Sequence, residues 1–340
     1  MVSRLSAVLI RYAPGILLSA GIGVVAILVA RAEELAFGHA VVEGLVLAIL
    51  LGMVVRSLWT LSEHVDAGVR FTAQQVLEAA VFLLGASVDL PLLLKTGPAL
   101  ATGIVLLVVL GIGASFLIGR ALGLPSKLAT LVACGNGICG NSAIAAVAPV
   151  IHADREHVAS SIAFTAILGV VVVVGLPFLI RPLHLSHYQY GVLAGLTVYA
   201  VPQVLAAAFP VSVLSGQVGT LVKLVRVLML GPVVLFFAVK HRGEAPVTPR
   251  FSVTRFVPWF IIGFLVLAAL RSAGAMPTPW AGEARRVSMW LTVASMAALG
   301  LGVDVRAVRR VGRPVIATVC ASLLVLIVLA VALIKGLGIR

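Results

Sequence analysis

The chain has 340 residues, of which 61% are hydrophobic and only 11% are charged, and its mean hydropathy is +1.17. Soluble globular proteins of this length do not carry so apolar a composition, which excludes a soluble enzyme and indicates an integral membrane protein. The formal net charge of +13 would suit nucleic acid in a soluble protein. In a membrane protein it reflects which loops hold lysine and arginine, so no nucleic-acid partner is expected.

Runs of apolar residues long enough to cross a bilayer recur between short charged or proline-bearing interruptions. They are continuously apolar, whereas the strands of a β-barrel would alternate over about ten residues. We therefore predict an all-α polytopic membrane protein with about eleven transmembrane helices. The runs lie near residues 13–30, 41–58, 75–94, 98–119, 128–151, 158–180, 188–211, 218–239, 256–273, 287–305 and 314–334.

The first run is interpreted as an extra N-terminal helix within residues 1–36, because no small-residue cleavage site of a signal peptide follows it. Loops on the side of the N-terminus hold about twice as many lysines and arginines as loops on the other side. The positive-inside rule then predicts a cytoplasmic N-terminus and, after eleven spans, a C-terminus outside.

One pattern occurs twice, as "GASVDLPLLLKTG" (85–97) and "GLGVDVRAVRRVG" (300–312). An odd number of predicted spans separates the two copies, so they would have opposite orientations in the membrane. Such inverted repeats are typical of secondary transporters, whose substrate site lies between the repeats at broken helices. We predict one membrane domain over 1–340, with residues 37–182 as the first repeat and residues 183–340 as the second.

The stretch "CGNGICGNSAIAAVAP" (134–149) inserts glycines and asparagines into an apolar run. These residues predict a helix break in mid-membrane, where free backbone groups must face protein or a watery cavity. Asn141 or Ser142 would cap the helix that follows, and the N-terminus of that helix would attract an anion. The alternative is close helix packing through small residues.

The run "TLVKLVRVLMLGP" (220–232) places Lys223 and Arg226 three residues apart on one helical face. Charges inside a bilayer usually face the bundle interior, where these two would bind a negatively charged substrate. The alternative is that both side chains reach a nearby membrane surface by snorkelling.

Two further positions suggest irregular helices. Pro202 removes a hydrogen-bond donor and either opens the helix or merely kinks it, while Gln203 could donate hydrogen bonds to an oxyanion. A second broken helix is predicted at Gly300 and Gly302, within the tenth span.

Three stretches together resemble the sulfate exporter family of bacterial inner-membrane proteins, the YeiH family. They are "GNGICGNSAIAAVAPVI", "GQVGTLVKLVRVLMLGPVVL" and "ASMAALGLGVDVRAVRRVGRPV". The resemblance implies the fold of the cation/proton antiporter and bile-acid symporter-like superfamily, with inverted repeats, discontinuous helices that cross in spans five and ten, and a homodimer. It also implies a multi-pass protein of the bacterial inner membrane.

The sequence departs from that family before the predicted break at Pro202. Where the family often has a histidine and an acidic residue, this chain has Tyr199 and Ala200. Proton coupling through that histidine is therefore not expected here.

These observations predict a secondary transporter that exports a small oxyanion, such as sulfate, sulfite or an organosulfonate, by an elevator-like alternating access. An organic-anion uptake symporter and a cation/proton exchanger on the same fold remain alternatives, whereas a membrane-embedded hydrolase lacks its motifs. No cofactor or metal is predicted. The expected substrate-binding residues are Asn136, Gly137, Gly140, Asn141, Ser142, Gln203, Lys223 and Arg226.

Overall fold

The computed structural model describes residues 2–37, 44–87, 97–240, 259–303 and 312–339, and within them the regular structure is helical, with no strand. Asp89 and Asp304 of the repeated pattern lie outside the described residues, as does the connection 241–258. The all-α prediction is confirmed for the part of the chain that the structure describes.

The α-helices are numbered here in chain order. The first eight are α1 (Val2–Phe37), α2 (Gly44–Leu58), α3 (Glu63–Phe71), α4 (Leu77–Leu84), α5 (Gly97–Ala121), α6 (Ser126–Cys134), α7 (Asn141–Val147) and α8 (Arg155–Gly175). The other eight are α9 (Ile180–Leu183), α10 (His187–Thr197), α11 (Val201–Ala208), α12 (Val213–Leu228), α13 (Leu230–Lys240), α14 (Trp259–Ser272), α15 (Thr278–Leu301) and α16 (Arg313–Gly336). Two π-helical turns, Thr72–Val76 and Gly135–Cys139, lie between α3 and α4 and directly after α6.

Among the described residues, four helical segments are long and apolar enough to cross a membrane: Arg11–Ala36, Gly97–Ala121, Val213–Lys240 and Arg313–Gly336. Shorter apolar helices cover Gly44–Leu58, Leu168–Leu183 and Trp259–Ser272. Each of the eleven predicted runs overlaps helix, but several runs consist of two short helices rather than one long one. The chain is thus a helical membrane protein, and the number of eleven crossings stays a prediction.

The chain forms two compact units. Unit 1 comprises Met1–Leu92 and Trp259–Arg306, and unit 2 comprises Leu93–Pro258 and Ala307–Arg340. The predicted repeats at 37–182 and 183–340 follow a different division of the chain and stay a prediction.

Glycines set the closest helix contacts in unit 1. A Cβ atom on Gly52 of α2 would collide with the carbonyl oxygen of Ala297, and one on Gly300 would collide with that of Ile49. Helices α2 and α15 therefore approach backbone to backbone, a contact that only small residues allow.

The second broken helix is predicted at Gly300 and Gly302, and it stays a prediction because residues 304–311 lie outside the described residues. Helix α15 continues without interruption through Gly300 and ends at Leu301, with Gly302 as its C-cap. Gly300 has a packing role against α2.

Unit 2 holds α12 tightly along α10. A Cβ atom on Gly191 would meet the carbonyl oxygen of Ser215 at 2.7 Å, and one on Gly195 would meet that of Gly219 at 2.6 Å. This contact brings the polar face of α12 against the end of α10, and so positions the candidate site.

We expect Gly300→Ala to lower the free energy of unfolding by about 1–3 kcal/mol, because the added methyl group forces α2 and α15 apart. Gly282→Ala on the same helix is the control: a Cβ atom there meets nothing within 4 Å, and alanine favours helix. Thermal unfolding of the purified protein in detergent measures both. Equal stability of the two variants would contradict the close contact.

Candidate functional site

The first of two helix interruptions in unit 2 follows α6. The chain passes from Cys134 into the buried π-turn Gly135–Cys139 and then turns sharply at Gly140, whose φ of 65° and ψ of −125° require glycine. Helix α7 begins at the next residue, Asn141. The break predicted in this stretch is therefore present between Cys139 and Asn141.

Gly140 is the N-cap of α7, and no side chain caps that helix. Asn141 was expected to be a cap, but its Oδ1 accepts a hydrogen bond from Thr165 Oγ1 on α8 instead. Asn141 and Ser142 are both exposed. Both residues thus lie at the surface of unit 2.

The second interruption separates α10 from α11. Helix α10 ends at Thr197, Val198 and Ala200 are extended, and α11 begins at Val201 with Pro202 in its first turn. Proline is well tolerated at this position because the first turn needs no intrahelical donor. Pro202 therefore opens a helix here and does not merely kink one.

The two interruptions lie against each other. A Cβ atom on Gly140 would be 3.3 Å from Cβ of Tyr199. One nitrogen atom, Lys223 Nζ, donates both to the carbonyl oxygen of Ile138 at 2.5 Å and to that of Val198 at 2.8 Å. We call residues 136–141 and 196–203 together the crossover.

Arg226 joins the same two segments. Its Nε donates to the carbonyl oxygen of Gly137 at 2.8 Å and its Nη2 to that of Asn136 at 2.5 Å. Its Nη1 donates to the carbonyl oxygens of Leu196 and Val198, at 2.5 and 3.3 Å. Both cationic side chains thus satisfy carbonyl groups that the helix ends leave free.

Lys223 and Arg226 are completely buried, at 0% exposure each. This excludes snorkelling, since neither side chain reaches a surface of the folded unit. It also changes the role expected for them, because their described hydrogen bonds go to the backbone of the crossover. Through these hydrogen bonds Lys223 and Arg226 hold the two interrupted helices together.

No carboxylate in the described part of unit 2 lies near enough to neutralise the two cations. Its acidic residues are Asp154 and Glu156, at the start of α8. Glu156 is nine residues from Thr165, or about 14 Å along the helix. The described partners of Lys223 and Arg226 are instead backbone carbonyl oxygens at the C-terminal ends of two helices, each of which carries roughly half a negative charge.

Three polar side chains of the crossover do not contact Lys223 or Arg226 in any described hydrogen bond. Gln203 Oε1 accepts a hydrogen bond from the Ala200 backbone at 3.2 Å, which leaves its amide nitrogen as a donor. Asn136 Oδ1 and Tyr199 Oη are buried and have no hydrogen-bond partner among the described residues. A buried polar atom without a hydrogen bond costs about 1–3 kcal/mol of stability. A bound polar group that formed hydrogen bonds with these two atoms would remove that cost.

The structure thus brings together seven of the predicted residues, Asn136, Gly137, Gly140, Asn141, Gln203, Lys223 and Arg226, with Ser142 beside them on α7. It adds Thr165 and Gly169 of α8, which sequence reasoning missed. Thr165 contacts Asn141, and a Cβ atom on Gly169 would collide with the Gln203 side chain. Their spacing of four residues, with Ser161 one turn earlier, was the available signal of a small and polar helix face.

The apolar helices and the two interrupted helices define the class of the protein, a polytopic helical membrane protein with a charged, buried crossover. The chain belongs to the family described as Conserved hypothetical protein 698, whose family model matches residues 14–318.

Relatives are similar along almost the whole chain. A Bradyrhizobium diazoefficiens protein, UPF0324 membrane protein blr3189, is 52% identical over 98% of this chain and 94% of its own length. The Brucella melitensis UPF0324 membrane protein BMEI1914 is 53% identical over 96% of this chain and 91% of its own length. A UPF0324 membrane protein of Bacillus cereus is 33% identical over 90% of this chain and 89% of its own length. These bacterial relatives are called membrane proteins, in agreement with the several apolar helices, and their names state no substrate.

We expect Gly140→Ala to lower the melting temperature, because a Cβ atom is strained by roughly 1–3 kcal/mol at this backbone conformation. Gly175→Ala, at the exposed end of α8 where a Cβ atom meets nothing, is the control and should melt like the parent. A Gly140→Ala protein as stable as the control would argue against a fixed turn at this break.

We expect Arg226→Lys to be destabilised by about 2–4 kcal/mol although the charge is kept. One ammonium group cannot reach the four carbonyl oxygens that the guanidinium fork contacts, and buried carbonyls would lose their donors. Arg181→Lys, at an exposed position of the same unit, controls for the change of residue type. Chemical unfolding in mixed micelles measures the difference in the free energy of unfolding. An Arg226→Lys protein as stable as the parent would show that the hydrogen bonds of Arg226 do not hold the two segments together.

Proposed function

We propose that the protein is a secondary transporter that exports a small oxyanion, such as sulfate, sulfite or an organosulfonate, by alternating access. One observation carries the proposal: two buried cations stand at the junction of two interrupted helices, with no carboxylate close by in the described residues. Uncompensated charge in an apolar interior is costly, and an anion near the crossover would relieve that cost.

The polar groups of the crossover suit the recognition of an oxyanion. The side chains of Asn141, Ser142 and Gln203 carry donors, and the first turn of α11 leaves backbone N–H groups without intrahelical partners. Helix α7 has only seven residues, so its dipole adds little to the field of the cations. Tyr199 adds a buried hydroxyl without a described partner.

Export is the direction that the membrane potential supports. An inside-negative potential drives an anion out with about 2.3 kcal/mol per charge per 100 mV, so no coupled cation is needed. The elevator-like movement rests on the resemblance to the sulfate exporter family. An organic-anion uptake symporter differs in direction and substrate, and the binding panel below tests the difference in substrate.

The first test is the melting temperature of the detergent-purified protein in the presence of sulfate, sulfite, thiosulfate, taurine, a dicarboxylate, sodium or lithium. A ligand that binds only the folded state raises the melting temperature. We expect a rise with one of the sulfur oxyanions. A rise with the dicarboxylate alone would favour the organic-anion symporter, and a rise with sodium or lithium alone would contradict an anion site.

The substitution Asn141→Asp tests whether the anion binds near this residue, because it adds a negative charge and hardly changes the shape of the side chain. A carboxylate can still accept the hydrogen bond from Thr165, and a negative charge is favourable at the start of a helix. It would repel a bound anion by about 4 kcal/mol at 4 Å with an effective dielectric constant of 20. We expect an affinity loss of more than a hundredfold without loss of stability.

Ser126→Asp is the matched control for Asn141→Asp. It adds the same charge at an exposed residue of unit 2, at the start of α6, on the far end of that helix from the crossover. It should leave anion binding nearly unchanged. Equal effects of the two substitutions would place the anion elsewhere.

A further inference from the structure

Five backbone carbonyl oxygens of the crossover point at two side chains. They belong to residues 136, 137 and 138 on the first segment and to residues 196 and 198 on the second. All five lie within 3.3 Å of a nitrogen atom of Lys223 or Arg226. Such a cluster at the C-terminal ends of two half-helices carries partial negative charge from both dipoles.

Clusters of this composition are the usual way in which backbone binds free cations. Hard cations take oxygen ligands, backbone carbonyls among them, at about 2.3–2.6 Å in the case of calcium. In transporters the unwound carbonyls and C-terminal ends of broken helices coordinate the coupling cation. Here the Lys223 ammonium takes that place, 2.5 and 2.8 Å from two carbonyl oxygens that belong to different segments.

We propose that the carbonyl cluster of the crossover is a cation site that the protein fills with its own side chains, so that no free cation is bound there. Removal of the Lys223 side chain beyond Cβ would then create a site for a small free monovalent cation, either an alkylammonium or sodium. The inference goes beyond anion export and does not depend on it, because it concerns what holds the two interrupted helices together.

The small cation to be added in the experiment is chosen to have the shape of the side chain that the substitution removes. Lys223→Ala deletes a three-carbon chain that ends in an ammonium group, so propylammonium replaces what was lost. Arg226→Ala correspondingly calls for ethylguanidinium. Both side chains are fully buried, so each deletion leaves a pocket bounded by the same carbonyl oxygens.

Lys223→Met is the matched control. Methionine also lacks the charge, but it fills most of the volume of lysine and leaves no room for a second ligand. Lys240→Ala, at the exposed end of α13, controls for the loss of a lysine whose side chain is not buried.

The experiment is thermal unfolding of each detergent-purified variant against increasing propylammonium, sodium and choline chloride at constant ionic strength. Lys223→Ala should melt below the parent and recover most of the loss, saturably, with propylammonium or sodium and not with choline. Lys223→Met should also melt below the parent, and none of the added cations should raise its melting temperature. Lys240→Ala should have the melting temperature of the parent. A folded Lys223→Ala protein that recovers with neither cation overturns the proposal.

The parent protein gives a second test that does not depend on the folding of any variant. Its melting temperature should be the same in sodium, lithium, potassium and choline chloride, because its cation site is already filled. A sodium-specific rise would overturn the proposal. If no anion raises the melting temperature, both of these cation measurements can still be interpreted. The proposals of anion export and of a filled cation site can therefore be rejected separately.

Discussion

The fold of unit 2 depends on how buried carbonyl groups are satisfied. Two helices are interrupted inside an apolar unit, and each break leaves carbonyl oxygens that no helix turn can pair. Lys223 and Arg226 supply the missing donors for both breaks at once. Neither cation would be tolerable in this interior without those carbonyls, and the carbonyls would be costly without the cations. The two features therefore stabilise each other.

The mutual dependence explains the local sequence. Gly140 permits a turn that other residues resist, and Pro202 begins a helix where its missing donor costs nothing. Glycines on α10 let α12 approach closely enough for Lys223 and Arg226 to reach across. The same arrangement buries two basic side chains with no carboxylate close by in the described residues, which is the basis for proposing an anion as the ligand.

Sequence reasoning located both breaks of unit 2 and the two cations, because glycine, asparagine, proline and charge are conspicuous in an apolar run. It could not find what the cations bind, since a backbone carbonyl has no sequence signal. It also missed Thr165, whose contact with Asn141 depends on how α8 packs. Gly300 shows why glycine alone is an ambiguous signal, because the same residue type lies at a break in one place and packs helices together in another. The broken helix predicted at Gly300 and Gly302 stays a prediction.

The π-turn Gly135–Cys139 has a consequence for how the family can vary in length. A π-turn holds one residue more than the α-helical turn that it replaces. Deleting a single residue there would rotate everything after it by about 100° and carry the carbonyls away from Arg226. Insertions and deletions among relatives should therefore be confined to the loops, while the distance along the chain from Cys134 to Asn141 stays fixed.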